Sequence, residues 1–247
     1  MKILGIIPAR YASTRFPAKP LAEIAGQTMI ERVYRQVEKS NVNETIVATD
    51  DERILRHVLA FGGKACMTSP DHQSGTDRCY EALQQQTQHY DYVINVQGDE
   101  PFIDPHQINL IASLLDGMAE LATLGKKINS SEQLFNPNVV KLVKDSSGRA
   151  LYFSRSTIPH LRSTPENEWL AKHSFFKHIG MYAYRTDILK KITQLPVSSL
   201  ERAEALEQLR WLENGFSIQV AETDVETIGV DTPEDLKKAI AFIEASR

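Results

Sequence analysis

Short apolar runs alternate with stretches of helical periodicity through the first half of the chain. Runs of hydrophobic residues predict strands, and apolar residues spaced three and four positions apart predict helices between them. The predicted strands are residues 3–7, 45–48, 65–67 and 92–96. The predicted helices are 27–39, one with an apolar face of Ile54, Leu55, Val58 and Leu59, and one from the loop at 69–78 into the eighties. This order predicts a parallel sheet with right-handed crossovers and helices on both faces.

The pattern changes at about residue 120, where predicted strands follow one another without regular helices between them. These strands are residues 121–124, 139–143, 151–153 and 181–184, with a tight hairpin-type turn at 145–148. The polar segment 161–172 predicts a mobile loop, and helical patterns return at 200–212 and 232–245. The fold class is therefore α/β: a mostly parallel, Rossmann-like sheet with a smaller mixed or antiparallel extension that covers it as a lid.

Composition limits the classes of function. The 247 residues suit one large α/β domain, and the net charge of -4 argues against a dedicated nucleic-acid binder. No apolar run approaches the roughly 18 residues of a membrane span, and Pro8 and Arg10 come too early for a signal peptide. Cys66 and Cys79 have no metal-ligand spacing and are interpreted as core thiols. We therefore expect a protein of the reducing cytoplasm.

A basic loop follows the first predicted strand. Arg10, Arg15 and Lys19 occur there with no acidic residue between positions 3 and 22. Ligands of open parallel sheets bind at the carboxyl ends of the strands, where guanidinium and ammonium groups can hold phosphate oxygens. The loop thus predicts a polyphosphate site, and the alternative is a solvated basic turn.

An acidic residue follows the fourth predicted strand in the motif NVQGDEP, residues 95–101. Asp99 is not needed as a helix cap, because Asp104 and Pro105 supply the start of the next helix. A free carboxylate beside a phosphate site suits Mg²⁺, which takes oxygen ligands from one or two carboxylates and from substrate phosphates. The alternative is a turn residue that bonds to its own backbone.

Helix capping explains several other polar residues. Asp50 and Asp51 are interpreted as caps of the helix that follows them. In GVDTPEDL, residues 229–236, Thr232 caps the last helix, and Asp231 is left over. In HQSGTDR, residues 72–78, Ser74 and Gly75 can present amides to a ligand and Arg78 can reach toward it. A capping box formed by Ser74 and Asp77 is an equal alternative.

The motif IIPARYASTRFPAKPL resembles the signature of the bacterial sugar cytidylyltransferases. Further segments that resemble this family are HQSGTDR, NVQGDEP, NPNVVKLV, LYFSRSTIP, HIGMYAYR, LEQLRWLENG and GVDTPEDL, which occur in order along nearly the whole chain. The family's loop usually reads LPGKPL, whereas this chain has Phe16 and Ala18. Alanine should be tolerated there unless the position requires a positive φ.

The resemblance implies a nucleotide-diphospho-sugar transferase fold and an enzyme that transfers CMP from CTP to a 3-deoxy-2-ulosonic acid sugar, releasing pyrophosphate. Asp99 and Asp231 would hold Mg²⁺. The CTP-binding residues would be Arg10, Arg15, Lys19, Ser74, Gly75 and Arg78, with Lys19 also counted as catalytic beside the two aspartates. We name no general base, because alignment and charge compensation dominate this type of transfer.

The resemblance also places a sugar-acid pocket in the second half of the chain. Its residues would be Gln97, Arg155, His178, Tyr182, Glu207 and Gln208. Helical spacing turns Glu207 and Gln208 away from the apolar face, toward either solvent or ligand. We expect a single domain with a nucleotide-binding half to about residue 120, a sugar-binding and dimerisation extension over about 121–228, and a C-terminal helix in 229–247 that returns to the main sheet.

The resemblance further implies a homodimer and a product used for lipopolysaccharide. Two alternatives stay open. One is a cytidylyltransferase for a related sugar acid, such as a sialic acid or an amino-substituted octulosonate. The other is a catalytically silent nucleotide-sugar-binding module, against which the retained carboxylates argue.

Overall fold

The computed structural model describes residues 1–12, 16–226 and 229–245. Arg15, predicted to bind the triphosphate, lies outside the described residues. The chain divides into two compact units: unit 1 is formed by Met1–Ala112 and Glu226–Arg247, and unit 2 is formed by Ser113–Val225.

Unit 1 begins with a β/α alternation. Its elements are β1 (Ile3–Ala9), a 3-10 helix (Lys19–Leu21), β2 (Glu23–Ile24), β3 (Gln27–Thr28), α1 (Met29–Glu38), β4 (Glu44–Thr49), α2 (Glu52–Ala60), β5 (Ala65–Met67), α3 (Gly75–Gln84), β6 (Tyr92–Asn95) and α4 (Pro105–Ala112). β1 pairs in parallel with β4 and β6, and β4 pairs in parallel with β5. The spatial order β6-β1-β4-β5 confirms the predicted parallel sheet.

Hydrophobic burial explains the strands and helices of unit 1. Every residue of β6 is buried, and so are all residues of β1 except Pro8, as expected for parallel strands covered on both faces. In α1, the side chains at helical spacing are buried, and Thr28 caps the helix by accepting a hydrogen bond from the Glu31 amide. The predicted end of the first strand, at residue 7, is two residues too early, because β1 pairs with β4 as far as Ala9.

Two finer predictions for α2 are also wrong. Leu59 is 54% exposed and does not belong to the buried face. Asp51 alone caps the helix, by accepting a hydrogen bond from the Arg53 amide. Asp50 pairs with Arg78 instead.

Unit 2 contains β7 (Leu121–Lys127), α5 (Ser131–Phe135), β8 (Lys141–Lys144), β9 (Ala150–Ser154), a 3-10 helix (Glu166–Glu168), α6 (Trp169–Lys172), β10 (Phe176–Arg185), α7 (Thr186–Ile192), α8 (Ser199–Glu204), α9 (Gln208–Glu213) and β11 (Ile218–Glu222). β10 pairs antiparallel with β7 and β8, β8 pairs antiparallel with β9, and β11 runs parallel to β7. The second half is therefore a mixed extension, as predicted.

The segment 161–172 differs from the predicted loop. Its second half is helical, and the Trp169 side chain is only 4% exposed. Trp169 packs in a hydrophobic cluster with Ile128, Leu134 and Phe175. The segment's polar composition obscured its apolar residues, since Leu161 and Leu170 pack against the same cluster.

The helix predicted over 200–212 is two helices. α8 ends at Glu204, and Ala205 adopts a left-handed conformation with φ 51°. α9 then begins at Gln208. The helical spacing used to orient Glu207 and Gln208 therefore does not hold across this break.

The last helix, α10 (Pro233–Ala245), belongs to unit 1. Thr232 accepts a hydrogen bond from the Asp235 amide, and the Asp235 carboxylate accepts one from the Thr232 amide. This reciprocal pair confirms the predicted cap. Leu236, Ile240 and Ile243 pack on a buried cluster of Ile24, Met29, Val230 and Ala239. Within the described ranges, no helix has the length and apolar character needed to cross a bilayer.

Candidate active site

A cleft of about 230 Å³ opens in unit 1 where β1 and β6 end and α3 begins. Its lining consists of Pro8, Ala9, Arg10, Lys19, Pro20, His72, Gln73, Ser74, Gly75, Arg78, Gln97, Gly98, Asp99 and Asp231. The structure thus brings together every described site residue that the sequence predicted within this unit. Arg10 is exposed and lines the cleft.

Lys19, Asp99 and Asp231 form a charged cluster in this cleft. Lys19 Nζ donates to Asp99 Oδ2 at 2.8 Å and to Asp231 Oδ1 at 3.2 Å. The three side chains come from distant parts of the sequence, and the topology of the unit brings them into contact. The two carboxylates therefore lie close enough to bind one cation.

Local backbone contacts place the two aspartates beside each other. The Val230 amide donates to the Asp99 carbonyl at 2.9 Å, which fixes the strand end of β6 against the segment that enters α10. Gly98 permits the turn before Asp99 to lie close to β1, because a Cβ atom there would lie 2.8 Å from the Pro8 carbonyl oxygen. Asp104 occupies the turn before α4 and accepts a hydrogen bond from the His106 amide, so Asp99 is not a cap.

The loop that carries Lys19 contains a strained residue. Ala18 has φ 59° and ψ 17°, in the left-handed region, and its amide donates to the Tyr11 carbonyl at 3.0 Å. Glycine, which the family usually has here, adopts this conformation without a Cβ penalty. The position does need a positive φ, so the departure seen in the sequence has a structural cost. Phe16 packs on the hydrophobic cluster of Ile24 and Met29.

The donor set in the cleft fits a hard divalent cation. Among the residues that the structure describes, no three His, Cys, Asp or Glu side chains converge on one point. Two carboxylates do converge, at Asp99 and Asp231, and Mg²⁺ is usually bound by one or two carboxylates together with substrate phosphates and water. The residues present therefore fit Mg²⁺ bound with a nucleotide.

Glu100 follows Asp99 and is a further carboxyl group of this region. Burial, together with the neighbouring Asp99 charge, raises the pKa of Glu100 to about 7. Glu100 was not predicted as a site residue. Its signal in the sequence is its position directly after Asp99.

The loop before α3 is organised mainly by capping and ion pairing. Ser74 Oγ accepts a hydrogen bond from the Asp77 amide at 3.1 Å, so the capping alternative is confirmed for Ser74. Arg78 is 4% exposed, and its guanidinium donates to Asp50 Oδ2 at 2.8 Å and Thr68 Oγ1 at 2.5 Å. Arg78 lines the cleft, but these partners hold its charge at the cleft wall.

His72 also lines the cleft and was not singled out from the sequence. Its Nε2 lies at hydrogen-bond distance from the Glu81 carboxylate, which also accepts a hydrogen bond from the Ser69 amide. The Ser69 amide and His72 lower the pKa of Glu81 in spite of its partial burial. His72 belongs to the HQSGTDR motif, and this membership was the signal that could have found it.

The two cysteines behave as structural thiols. Cys79 is fully buried in α3, and burial raises the pKa of the Cys66 thiol to about 11. A thiol with so high a pKa is a poor nucleophile at neutral pH. The interpretation as a core residue is confirmed for Cys79, whereas Cys66 is half-buried.

Arg155 in unit 2 is held by backbone carbonyl groups. Its Nε donates to the Glu204 carbonyl at 2.7 Å, and its Nη1 and Nη2 donate to the carbonyls of Pro137 and Ala205 at 3.3 and 3.4 Å. The Glu204 carboxylate accepts from the Arg155 amide. A guanidinium has five N–H donors, so a fixed Arg155 retains donors for an anion.

His178 and Tyr182 lie close together on β10, with ring centroids 5.2 Å apart. Burial lowers the pKa of His178 to about 3, and burial also raises the pKa of Tyr182. His178 Nε2 lies 3.1 Å from Thr123 Oγ1, whose single hydroxyl hydrogen is also within reach of the Ile179 and Met181 carbonyl oxygens. His178 is therefore a neutral, hydrogen-bonded ring at neutral pH.

Glu207 and Gln208 occupy different environments. Gln208 is 5% exposed, so the prediction that it turns away from the buried face is wrong. Glu207 is partly exposed and lies 3.4 Å from Arg210 Nη2. The break at Ala205 causes the difference, because it shifts the phase of the second helix.

Comparison with known proteins identifies the class to which this fold and site belong. A cytidylyltransferase family model matches residues 4–226, so the chain belongs to the cytidylyltransferase family of nucleotidyltransferases. The curated relatives include proteins from Cytophaga hutchinsonii, 60% identical over 96% of this chain and 95% of the relative, and from Parabacteroides distasonis, 57% identical over 98% of each. Both are named 3-deoxy-manno-octulosonate cytidylyltransferase.

The fold also matches a solved structure of a CMP:2-keto-3-deoxy-manno-octonic acid synthetase complexed with CTP. That protein is 43% identical, each chain is covered in full, and the TM-score is 0.93. Within the cytidylyltransferase family, the chain therefore groups with the enzymes that act on this eight-carbon sugar acid.

Proposed function

We propose that this protein transfers CMP from CTP to the anomeric hydroxyl of 3-deoxy-manno-octulosonate and releases pyrophosphate. The observation that carries the proposal is the cluster of Lys19, Asp99 and Asp231 in the cleft at the end of the parallel strands. Relatives that are 57–60% identical over nearly the whole chain carry the name of this activity. A silent binding module would not need this lysine and these two carboxylates, so their presence supports an enzyme.

The triphosphate would bind at the basic side of the cleft. Arg10 and Lys19 line it, and Arg15 belongs to the same loop of the sequence. The N-terminus of α3 is the positive end of the helix dipole, which suits an anion. The α3 start at Gly75 lines the cleft together with these cations.

Asp99 and Asp231 would hold Mg²⁺. The bound ion would supply charge neutralisation at the transferring phosphoryl group and lower the pKa of the attacking hydroxyl. The protein's own residues align the reactants: the Gly98 turn and the Val230–Asp99 hydrogen bond fix the carboxylates, and Lys19 supplies a mobile positive charge.

By resemblance to the family, the residues assigned to the sugar acid are Gln97 of unit 1 and Arg155, His178, Tyr182, Glu207 and Gln208 of unit 2. The remaining guanidinium donors of Arg155 suit a carboxylate, and neutral His178 and Tyr182 suit hydroxyl groups. These roles rest on the resemblance to the family. A homodimer, a cytoplasmic location, a supply of product to lipopolysaccharide, and one nucleotidyltransferase domain spanning residues 1–247 are parts of the same proposal.

Pyrophosphate release from CTP and Mg²⁺ tests the reaction. The sugar acids offered in parallel are 3-deoxy-manno-octulosonate, its 8-amino analogue and N-acetylneuraminic acid. Release with the first sugar alone is expected. Release only with one of the others would reassign the acceptor, and silence with all three, with CTP still raising the melting temperature, would favour a binding module.

Asp99→Ala is expected to reduce turnover by about 100-fold or more, with a much smaller effect on CTP binding, because the carboxylate stabilises the transition state through the metal. Single-turnover rates and CTP titration by calorimetry measure the two effects. Asp91→Ala is the matched control, since Asp91 bonds to the Lys2 amide outside the cleft. Unchanged turnover in Asp99→Ala would remove the metal assignment.

A further inference from the structure

The ammonium group of Lys19 is the most enclosed charge of the cluster. The lysine side chain is 14% exposed, whereas those of Asp99 and Asp231 are 34% and 49% exposed. Nζ contacts one oxygen of each carboxylate. The lysine and the proposed metal therefore compete for the same two carboxylates.

We propose that Lys19 is an exchangeable counter-ion of the carboxylate pair, and that metal binding displaces its ammonium group from the carboxylates toward the nucleotide phosphates. This inference rests on the proposed function, in which the same two aspartates hold Mg²⁺. It gives Lys19 two successive partners: the aspartates before the metal binds and the phosphates afterwards.

Repulsion between like charges is the first argument for the exchange. Two neighbouring carboxylates repel each other, and an ammonium between them removes most of that repulsion. A divalent ion at the same oxygens would lie within a few ångströms of the ammonium, where like charges repel strongly. Lysine suits an exchange because its compact charge is carried on a flexible four-carbon stem.

Main-chain contacts and side-chain length give the second argument, since they show which member of the cluster can move. The backbone of Asp99 is bonded to Val230, and Asp231 directly precedes the Thr232–Asp235 cap of α10. The Lys19 backbone is also hydrogen-bonded, to Phe16 and Ala22. Side-chain length therefore decides which group can move: the lysine ammonium ends a flexible four-carbon stem, whereas each carboxylate lies close to its fixed backbone.

Binding of Mn²⁺ without nucleotide, followed by electron paramagnetic resonance, tests the exchange. Lys19→Met removes the competing cation and is expected to bind Mn²⁺ roughly 3- to 10-fold more tightly than the wild-type protein, as loss of a partly exposed ion pair predicts. Lys19→Arg keeps the charge and should not tighten binding. Lys64→Met is the matched control, because Lys64 pairs with Glu44 at 2.9 Å outside the cleft.

Melting temperature provides a second readout. Lys19→Met leaves the two carboxylates without their counter-ion, so its melting temperature should fall and Mn²⁺ should raise it more than it raises that of the wild type. Lys19→Gln, a second neutral variant, should behave in the same way if Lys19→Met does not fold.

Asp99→Asn separates the two hypotheses. Weaker Mn²⁺ binding in Asp99→Asn, with equal or weaker binding in the neutral Lys19 variants than in the wild type, would overturn the exchange and leave the proposed metal site intact. Unchanged Mn²⁺ binding in Asp99→Asn would overturn the metal site itself, and the exchange with it.

Discussion

At the level of single residues, Ala18 determines how the basic loop after β1 leads into the 3-10 helix Lys19–Leu21. Its left-handed φ of 59° costs an L-residue about 1 kcal/mol or more. The loop nevertheless keeps its hydrogen bonds, from the Ala18 amide to Tyr11 and from the Leu21 amide to Ala18. Other interactions in unit 1 must therefore offset the free-energy cost of the Ala18 conformation.

Ala18→Gly is expected to stabilise the protein by up to about 1 kcal/mol, because the relief of strain exceeds the added flexibility of glycine in the unfolded chain. Urea unfolding measures the change. Ala22→Gly is the control, since Ala22 has φ -65° and gains no relief, so it should destabilise slightly. Equal effects of the two substitutions would contradict the assignment of strain.

Lys141 is a fully buried cation in unit 2 whose Nζ donates to the carbonyls of Asn136, Val139 and Arg155 at 2.9, 2.7 and 2.6 Å. Burial lowers the pKa of Lys141. Lys141→Met should destabilise the protein by about 2 kcal/mol or more, because three carbonyl groups lose a donor.

Lys144→Met on the same strand serves as the control for Lys141→Met. Lys144 forms a partly exposed ion pair with Glu222 at 2.9 Å, and its loss should cost no more than about 1 kcal/mol. Equal destabilisation in urea unfolding would show that Lys141 is not a structural anchor.

At the level of the element, the start of α10 connects helix capping to the site. Thr232 satisfies the Asp235 amide, and Asp231 stands immediately before it. The cap therefore fixes the start of α10 and, with it, the backbone that carries the Asp231 side chain.

Thr232→Ala is expected to cost about 1 kcal/mol of stability and also to lower the rate of pyrophosphate release, because the start of α10 would fray beside Asp231. Ser130→Ala is the matched control, since Ser130 caps α5 in unit 2 by the same type of hydrogen bond. Ser130→Ala should lose similar stability and keep its rate. Loss of rate in both variants would mean that the effect is not local.

Helices also show where sequence patterns stop being informative. Capping residues such as Thr232 and Ser74 are read from a few neighbouring positions, because the hydrogen bonds that they make are local. The break between α8 and α9 lies at Ala205, which is a good helix former, and no glycine or proline marks it. The burial of Gln208 follows from that break and could not be predicted from spacing.

At the scale of the whole molecule, the alternation of apolar runs and helical periodicity was enough to predict a parallel sheet followed by a mixed extension. The assignment of local caps left Asp99 over as a site residue, whereas Asp231 was assigned to the site by the resemblance to the family. Sequence reasoning could not find the partners of Arg78 or Arg155, since Asp50 and Glu204 are distant in sequence and only the folded chain brings them near.

Protonation of His178 should affect the stability of the whole chain. Burial holds the folded-state pKa at about 3, so the unfolded state binds more protons between roughly pH 3 and 6.5. The stabilising contribution of the neutral ring is therefore present above about pH 6.5 and is lost as the pH falls. Melting temperatures should decrease less steeply from pH 7 to 4.5 in His178→Gln than in the wild type.

His57→Gln is the control for the His178 prediction, because His57 hydrogen-bonds Thr28 in unit 1. The pH dependence of its melting temperature should follow that of the wild type. Parallel curves for wild type and His178→Gln would show that the buried ring does not set the acid sensitivity.

Unit 1 is assembled from the two ends of the chain, with α10 packed on residues that precede position 30. During translation, the ribosome must therefore release the chain beyond residue 231 before Asp231 can join Lys19 and Asp99. A nascent chain that stops short of α10 has the basic loop without its full acidic counterpart. The cleft is thus completed by a segment that is synthesised long after the loop that begins it.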